Sequence, residues 1–157
     1  MDRRELTIVR VFEAPRALVF KAWTDPEMVK AWWGPHGFST PDCEWDARPG
    51  GRIRLYMKAS DEIAKMIGPG HWMGGEFNEV VPPERLVFTS TALENERGEP
   101  GLQNLNTLTF EDLNGKTRMT LHVEVLVATE AVAPALAGME TGWNQSLDKL
   151  AALLAAQ

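Results

Sequence analysis

The sequence predicts an α+β domain in which a curved antiparallel sheet wraps a long C-terminal helix. Three observations support this prediction: strand patterns follow one another with short turns between them, two short helices come directly after the first strand, and residues 130–156 hold the one long helical pattern. Consecutive strands joined by short turns favour an antiparallel meander. A chain of 157 residues has the usual size of one domain, so we expect a single domain over 1–157.

The first strand and the two helices after it are predicted from local start and stop signals. Residues 6–12 have a strand pattern, and a proline at the first helical position then begins a helix over 15–23. Asp25 is a capping carboxylate, so a second helix is predicted over 26–33. The Gly-Pro pair that follows ends this helix.

The middle of the chain has the period-two pattern of strands with one buried face. Ile53, Leu55 and Met57 alternate with polar residues. Later strands are predicted at 71–80, 86–92, 104–111 and 117–127, separated by Pro82-Pro83, by the acidic loop 94–101 and by Asn114-Gly115. In the last of these strands one apolar face is predicted to comprise Met119, Leu121, Val123, Val125 and Val127. The alternating acids around Cys43 and Trp45 are interpreted as a solvated strand.

The C-terminal segment 130–156 is predicted to be an amphipathic helix. Its apolar stripe comprises Met139, Trp143, Leu147, Leu150 and Leu154. Such a stripe must cover an apolar surface, and the curved sheet provides one. Residues 59–70 are the least regular segment, and although Ser60 resembles a helix start we interpret them as a mobile flap.

Charge and cysteine content narrow the classes of function. The net charge of -6 comes from interspersed acids and bases without a Lys/Arg-rich run, so no nucleic-acid partner is expected. Cys43 is the only cysteine, which excludes an internal disulfide and favours a reducing compartment. The sequence shows no secretory signal and no apolar run near the ~18 residues that span a bilayer. We therefore expect a cytoplasmic protein without membrane insertion.

The order and spacing of several short motifs resemble the START-like, Bet v 1-like (SRPBCC) superfamily, and within it the bacterial proteins similar to the C-terminal domain of the activator of Hsp90 ATPase. The matching segments span nearly the whole chain and are, in order, Phe12-Glu13-Ala14-Pro15, Val19-Phe20-Lys21-Ala22-Trp23-Thr24-Asp25-Pro26, Trp32-Trp33-Gly34-Pro35, Pro49-Gly50-Gly51-Arg52, Gly75-Glu76-Phe77, Pro82-Pro83-Glu84-Arg85-Leu86-Val87-Phe88-Thr89, Met139-Glu140, Gly142-Trp143 and Leu147-Asp148-Lys149-Leu150. Each motif is weak alone, and their combination in this order is specific.

The resemblance implies a helix-grip fold, with six or seven strands gripping the C-terminal helix around an apolar cavity. The wider superfamily includes lipid carriers, polyketide cyclases and hormone receptors. We do not expect Hsp90 activation, because the family's eukaryotic co-chaperones carry an additional N-terminal domain and this chain begins at strand one.

Inward side chains of the sheet and the helix are the candidates for the lining of such a cavity. The predicted lining comprises Leu55, Met57, Phe77 and Phe88 from strands, Met139 and Trp143 from the helix, and Trp33 and Phe38 at one end. Each of these residues could equally be ordinary core, since apolar side chains at strand or helix spacing usually are. His71 is the best polar candidate for a ligand contact, with a surface position as its alternative. Glu76 is an inward general acid or base if burial raises its pKa, and otherwise a solvated surface acid.

Metal and covalent chemistry have no signature in the sequence. The three histidines, His36, His71 and His122, match no metal-ligand spacing, and the chain has no nucleophile elbow or phosphate-binding glycine loop. We therefore expect no metal, no cofactor and no catalytic residue that the sequence identifies.

Three functions remain open from the sequence. The first is binding or carriage of a small hydrophobic or aromatic molecule in the cavity. The second is a cofactor-free cyclase, isomerase or hydrolase that uses Glu76 or His71. The third is an interaction module, such as a chaperone cofactor or a homodimer, in which exposed Trp32, Trp33 or Trp45 form a contact patch.

Overall fold

A computed structural model describes residues 5–92, 97, 99, 101–130 and 137–156 of the chain. Within them the helices are α1 (Arg16–Thr24), α2 (Pro26–Trp32), α3 (Asp61–Ile67) and α4 (Met139–Ala155). The strands are β1 (Glu5–Phe12), β2 (Phe38–Trp45), β3 (Arg52–Ala59), β4 (Gly70–Val81), β5 (Arg85–Ala92), β6 (Leu102–Leu113) and β7 (Lys116–Ala128).

All of these strands form one sheet in the order β1-β7-β6-β5-β4-β3-β2, and every neighbouring pair is antiparallel. The sheet packs against α4 through the buried Leu147, Leu150 and Leu154 of that helix. The predicted α+β fold with a helix-gripping sheet of six to seven strands is confirmed. The seventh strand is β2, the segment of alternating acids.

The two short helices after β1 form where their start signals lie. The carboxylate of Asp25 accepts a hydrogen bond from the Glu27 backbone N–H at 2.9 Å, so it caps α2 as predicted. The indole Nε1 of Trp32 donates to the Ala22 carbonyl at 2.9 Å. This bond joins α2 to α1 inside the core and leaves the next residue, Trp33, to face the sheet and α4.

Polar contacts join α4 to β1 and to the segment between α2 and β2. Arg10 of β1 donates to the Asp148 carboxylate at 2.8 Å. The Lys149 ammonium donates to the Gly34 carbonyl at 3.0 Å and to the Phe38 carbonyl at 3.4 Å. Because these contacts come from β1 and from the α2–β2 connection, α4 is held from both sides.

Two segments differ from the sequence-based expectation by more than a few residues or in their type of structure. The C-terminal helix begins at Met139 rather than at 130, and residues 131–136 lie outside the described residues, as does most of the acidic loop 94–101. The segment predicted as a flap contains α3, which Ser60 caps by accepting from the Ile63 N–H at 3.3 Å. Its mobility stays a prediction.

The apolar face predicted for β7 ends before Val127. Gln103 pairs with Val127 and Asn104 with Val125, so Leu126 is an extra residue in β7 and forms a bulge. Val127 is 36% exposed, whereas Val123 is fully buried. The prediction that Val127 shares the buried face was wrong, because the bulge reverses the alternation at that point.

Candidate functional site

A cavity of about 170 Å³ lies between the sheet and the first turns of α4. Its walls come from β3, β4, β5, β6, α4 and the α2–β2 connection. The lining residues are Trp33, Gly34, Pro35, Met57, His71, Met73, Ser90, Ala92, Leu102, Asn104, Met139, Gly142, Trp143 and Ser146. We call this region the hollow end of the space between sheet and helix.

The other end of the same space is solid. Here the fully buried side chains meet: Trp23, Trp32, Ile53, Leu55, Phe77, Leu86, Phe88, Leu108, Met119, Leu121, Leu147 and Leu150. We call this region the filled end. Trp45 belongs to it, because its ring lies 5.2 Å from that of Phe77 and 5.4 Å from that of Phe88.

The hollow end exists because side chains become smaller along β5 and along α4. On β5 the inward positions read Phe88, Ser90 and Ala92. On α4 the helix surface changes from leucines at the filled end to Ser146 and Gly142 at the cavity. The space left by these small residues is the cavity.

Aromatic and sulfur-containing side chains supply most of the apolar wall. The rings of Trp33 and Trp143 lie 5.4 Å apart in a T-shaped arrangement. Met57, Met73 and Met139 complete this part of the lining. Methionine adapts its shape and makes favourable sulfur–aromatic contacts, so the wall suits a flat apolar guest.

One side of the cavity is polar. Asn104 and Ser90 are cross-strand partners on β6 and β5, and both line the cavity. The Ser90 hydroxyl accepts a hydrogen bond at 3.0 Å from the amide of Asn106, which is fully buried behind it. The Asn104 amide nitrogen donates to the Met139 sulfur at 3.8 Å, and its buried oxygen has no hydrogen-bond partner among the described residues.

His71 is the lining side chain that titrates nearest to neutral pH. Burial lowers the pKa of His71 from its ordinary value of 6.5, because the charged form loses solvation there. The imidazole is therefore neutral at pH 7. Since no Asp, Glu, Lys or Arg belongs to the described lining, the wall carries no charge at that pH.

Five of the nine predicted lining residues lie in the wall: Trp33, Met57, His71, Met139 and Trp143. Leu55, Phe77 and Phe88 lie at the filled end, each at most 1% exposed. The Phe38 ring lies 6.5 Å from the His71 ring, next to the cavity rather than in its lining. Whether the five wall residues bind a ligand stays a prediction.

Glu76 lies on the other face of the sheet. Its side chain is exposed and borders a shallow groove with Arg52 and Thr89, away from the cavity. Glu76 is therefore the solvated surface acid of its second interpretation, and not an inward general acid or base. Its strand neighbour Gly75 takes the inward position because side chains alternate between the two faces.

The tryptophans proposed for a contact patch are buried. Trp32, Trp33 and Trp45 are 0%, 6% and 3% exposed. An interaction surface formed by these rings is therefore excluded, because none of them reaches solvent.

Sequence reasoning missed the polar side of the cavity. Ser90 and Asn104, together with the fully buried Asn106, occupy inward positions in strands that also carry inward apolar residues such as Phe88 and Leu108. A polar residue that interrupts an apolar face was the available signal. It was not used because the strand boundaries and the facing partners were unknown.

In the described part of the chain, no group of three or more His, Cys, Asp or Glu side chains could hold a metal ion. None of the helices described is long and apolar enough to cross a membrane. The absence of a metal and of a cofactor stays a prediction.

Solved structures share this fold over nearly their whole length. A crystal structure of a protein from Chromobacterium violaceum is 30% identical, with 96% of each chain aligned and a TM-score of 0.80. A protein from Mycobacterium smegmatis is 28% identical over 99% of this chain and 93% of its own, with a TM-score of 0.79. A solution structure from Arthrobacter aurescens is 25% identical over 99% and 88%, with a TM-score of 0.80.

Sequence comparison gives the family. Among curated proteins there is no significant match. The model of the family described as activator of Hsp90 ATPase homolog 1-like protein matches residues 13–155, which includes every helix described above and all strands except β1. The chain belongs to the activator of Hsp90 ATPase homolog 1-like family, whose members in solved structures have the SRPBCC fold.

Proposed function

We propose that the protein binds a small hydrophobic or aromatic molecule in the cavity at the hollow end, as a non-catalytic binding or carrier protein. The observation that supports this proposal most is the uncharged, mostly apolar cavity of about 170 Å³ between the sheet and α4. The proposal treats residues 1–157 as one ligand-binding domain.

The cavity has the size and chemistry for a ring-sized guest. A dry apolar cavity of about 150 Å³ is large enough to bind benzene. Trp33 and Trp143 offer ring faces and edges, and the methionines adjust to the outline of a guest. A charged guest would lose its hydration without gaining a partner charge, so the wall selects for neutral molecules.

Catalysis has less support than binding. Of the two groups that the catalytic alternative requires, Glu76 lies on the opposite face of the sheet. His71 lines the cavity, but no described carboxylate lines it, and no described side chain hydrogen-bonds the imidazole to orient it. General acid–base catalysis depends on a positioned proton-transfer group, so a histidine without an orienting partner is a weak basis for it.

A cavity-filling variant tests the proposal. An added Cβ at Gly142 would meet only the Pro35 Cβ, at 3.9 Å, and both residues line the cavity. Gly142→Leu should therefore fill part of the cavity. A helical glycine costs about 0.5–1 kcal/mol relative to alanine, so this change should not destabilise the helix.

The measurement is calorimetric or NMR titration with toluene, indole and naphthalene. Wild type should bind at least one of them, and Gly142→Leu should weaken that binding at least about tenfold. The matched control is Thr141→Leu, which adds the same side chain at the exposed neighbouring position and should leave affinity unchanged. Equal affinity in wild type and Gly142→Leu, or no binding to wild type, would contradict the proposal.

A further inference from the structure

We infer that the cavity discriminates in favour of a neutral ring compound that bears a hydroxyl group, which the Asn104 carboxamide binds. This inference rests on the proposed function and specifies the chemistry of its ligand.

The Asn104 side chain has unused hydrogen-bonding capacity at both ends of its amide. The residue is 8% exposed, lines the cavity, and its oxygen accepts no hydrogen bond from any described residue. Its nitrogen donates only to the Met139 sulfur, at 3.8 Å, and a thioether is a weak acceptor. Buried polar groups are nearly always hydrogen-bonded, so this amide is suited to a partner that enters the cavity.

The neighbouring serine extends the polar side in the same direction. The Ser90 oxygen accepts from the Asn106 amide at 3.0 Å, and its own hydrogen is donated to no described residue. Ser90 is the register partner of Asn104 and also lines the cavity. The polar side therefore offers both a donor and an acceptor within one small region.

A hydroxyl group matches this polar side better than other common groups do. It donates and accepts at once, so it can pair with either end of the Asn104 amide. A carboxylate or an amine that is charged would be unpaired among uncharged walls. The remaining lining is apolar and aromatic, which accommodates the ring that carries the hydroxyl.

Phenol and toluene test this inference, because they differ by a hydroxyl in place of a methyl group of similar size. Both affinities are measured by NMR titration of wild type and of Asn104→Leu, which keeps the approximate side-chain volume and removes the amide. The ratio of the phenol affinity to the toluene affinity should fall about tenfold in the variant, since a buried hydrogen-bonding group is left without its partner. The smaller variant Asn104→Ala should give a decrease in the same direction.

Gln103→Leu is the matched control, because this neighbouring amide bonds the Thr91 hydroxyl and lies by the groove on the opposite face. The ratio of the phenol affinity to the toluene affinity in Gln103→Leu should equal that of wild type. If both compounds bind wild type and the ratio changes less than twofold in both Asn104 variants, the inference is overturned while the proposed function stands. If neither compound binds wild type, the proposed function fails, and this inference fails with it.

Discussion

The space between the sheet and α4 has two ends that pack in opposite ways, although the same strands and the same helix build both. At the filled end Leu55 of β3 and Phe88 of β5 are fully buried. Two residues further along these strands, Met57 and Ser90 line a cavity. The backbone of this fold therefore supplies a space, and the size of the side chains that point into it decides whether that space is filled or hollow.

The largest expected difference between the two ends is in the cost of removing a side chain. Leu55→Ala should lower the free energy of unfolding by about 3 kcal/mol, because it opens a cavity in a closely packed region. Met57→Ala, two residues along the same strand, should cost less than about 1 kcal/mol, since Met57 already faces empty space and is half-buried. Urea denaturation of both variants measures the difference, and equal costs would show that the hollow end is packed as tightly as the filled end.

Enlarging a side chain should change the free energy of unfolding by a smaller amount. The change should be destabilising at the filled end, and neutral or stabilising at the hollow end. Ala22 is fully buried in α1, so Ala22→Leu should overpack the core and destabilise the protein by about 1–3 kcal/mol. Ala92 lines the cavity, and Ala92→Leu should leave stability unchanged or raise it by up to about 1 kcal/mol. The two midpoints of thermal or urea unfolding measure these changes. Destabilisation of similar size at both positions would contradict the comparison.

The smallest expected effect is a pH dependence of the free energy of unfolding, which His71 contributes at the hollow end. Its pKa is lower in the folded protein than in the unfolded chain, where it has the ordinary value of 6.5, so the unfolded chain binds the proton more readily. This contribution to stability is complete above about pH 6.5 and is lost as the pH falls from there through the folded-state pKa.

Comparing wild type with His71→Gln isolates that contribution. The free energy of unfolding of wild type should decrease more than that of the variant between pH 7 and pH 5. Parallel curves for the two proteins over this range would mean that His71 is not desolvated in the wall.

Local sequence patterns were sufficient for the fold. The alternation of Ile53, Leu55 and Met57 and the cap at Asp25 depend on neighbours in sequence, and the structure has the strand and the helix that they predict. The bulge at Leu126 was not predictable, because nothing in its immediate sequence marks the extra residue. Because of this bulge, the side chain of Val127 lies on the opposite face of the sheet from the one predicted.

The division between core and cavity could not be predicted from the same patterns. Leu55 and Met57 have the same position in the alternation, so the pattern does not distinguish the filled end from the hollow end. The small residues that leave the cavity, Ser90, Gly142 and Ser146, belong to β5 and α4, which are distant from β3 in sequence. For this reason the prediction placed Phe77 and Phe88 in the cavity wall together with Met139 and Trp143, whereas the structure separates the two pairs.

The central claim is that the hollow end accepts an apolar guest while the filled end does not, and the methionine methyl groups test it most directly. Met57, Met73 and Met139 line the cavity, Met119 is fully buried at the filled end, and Met66 is 76% exposed on α3. The measurement is a titration of ¹³C-methyl-methionine protein with toluene, followed by NMR. We predict saturable shifts of the three cavity methyls, with Met119 and Met66 unchanged. Unchanged cavity methyls, or shifts of equal size at Met66, would contradict the account.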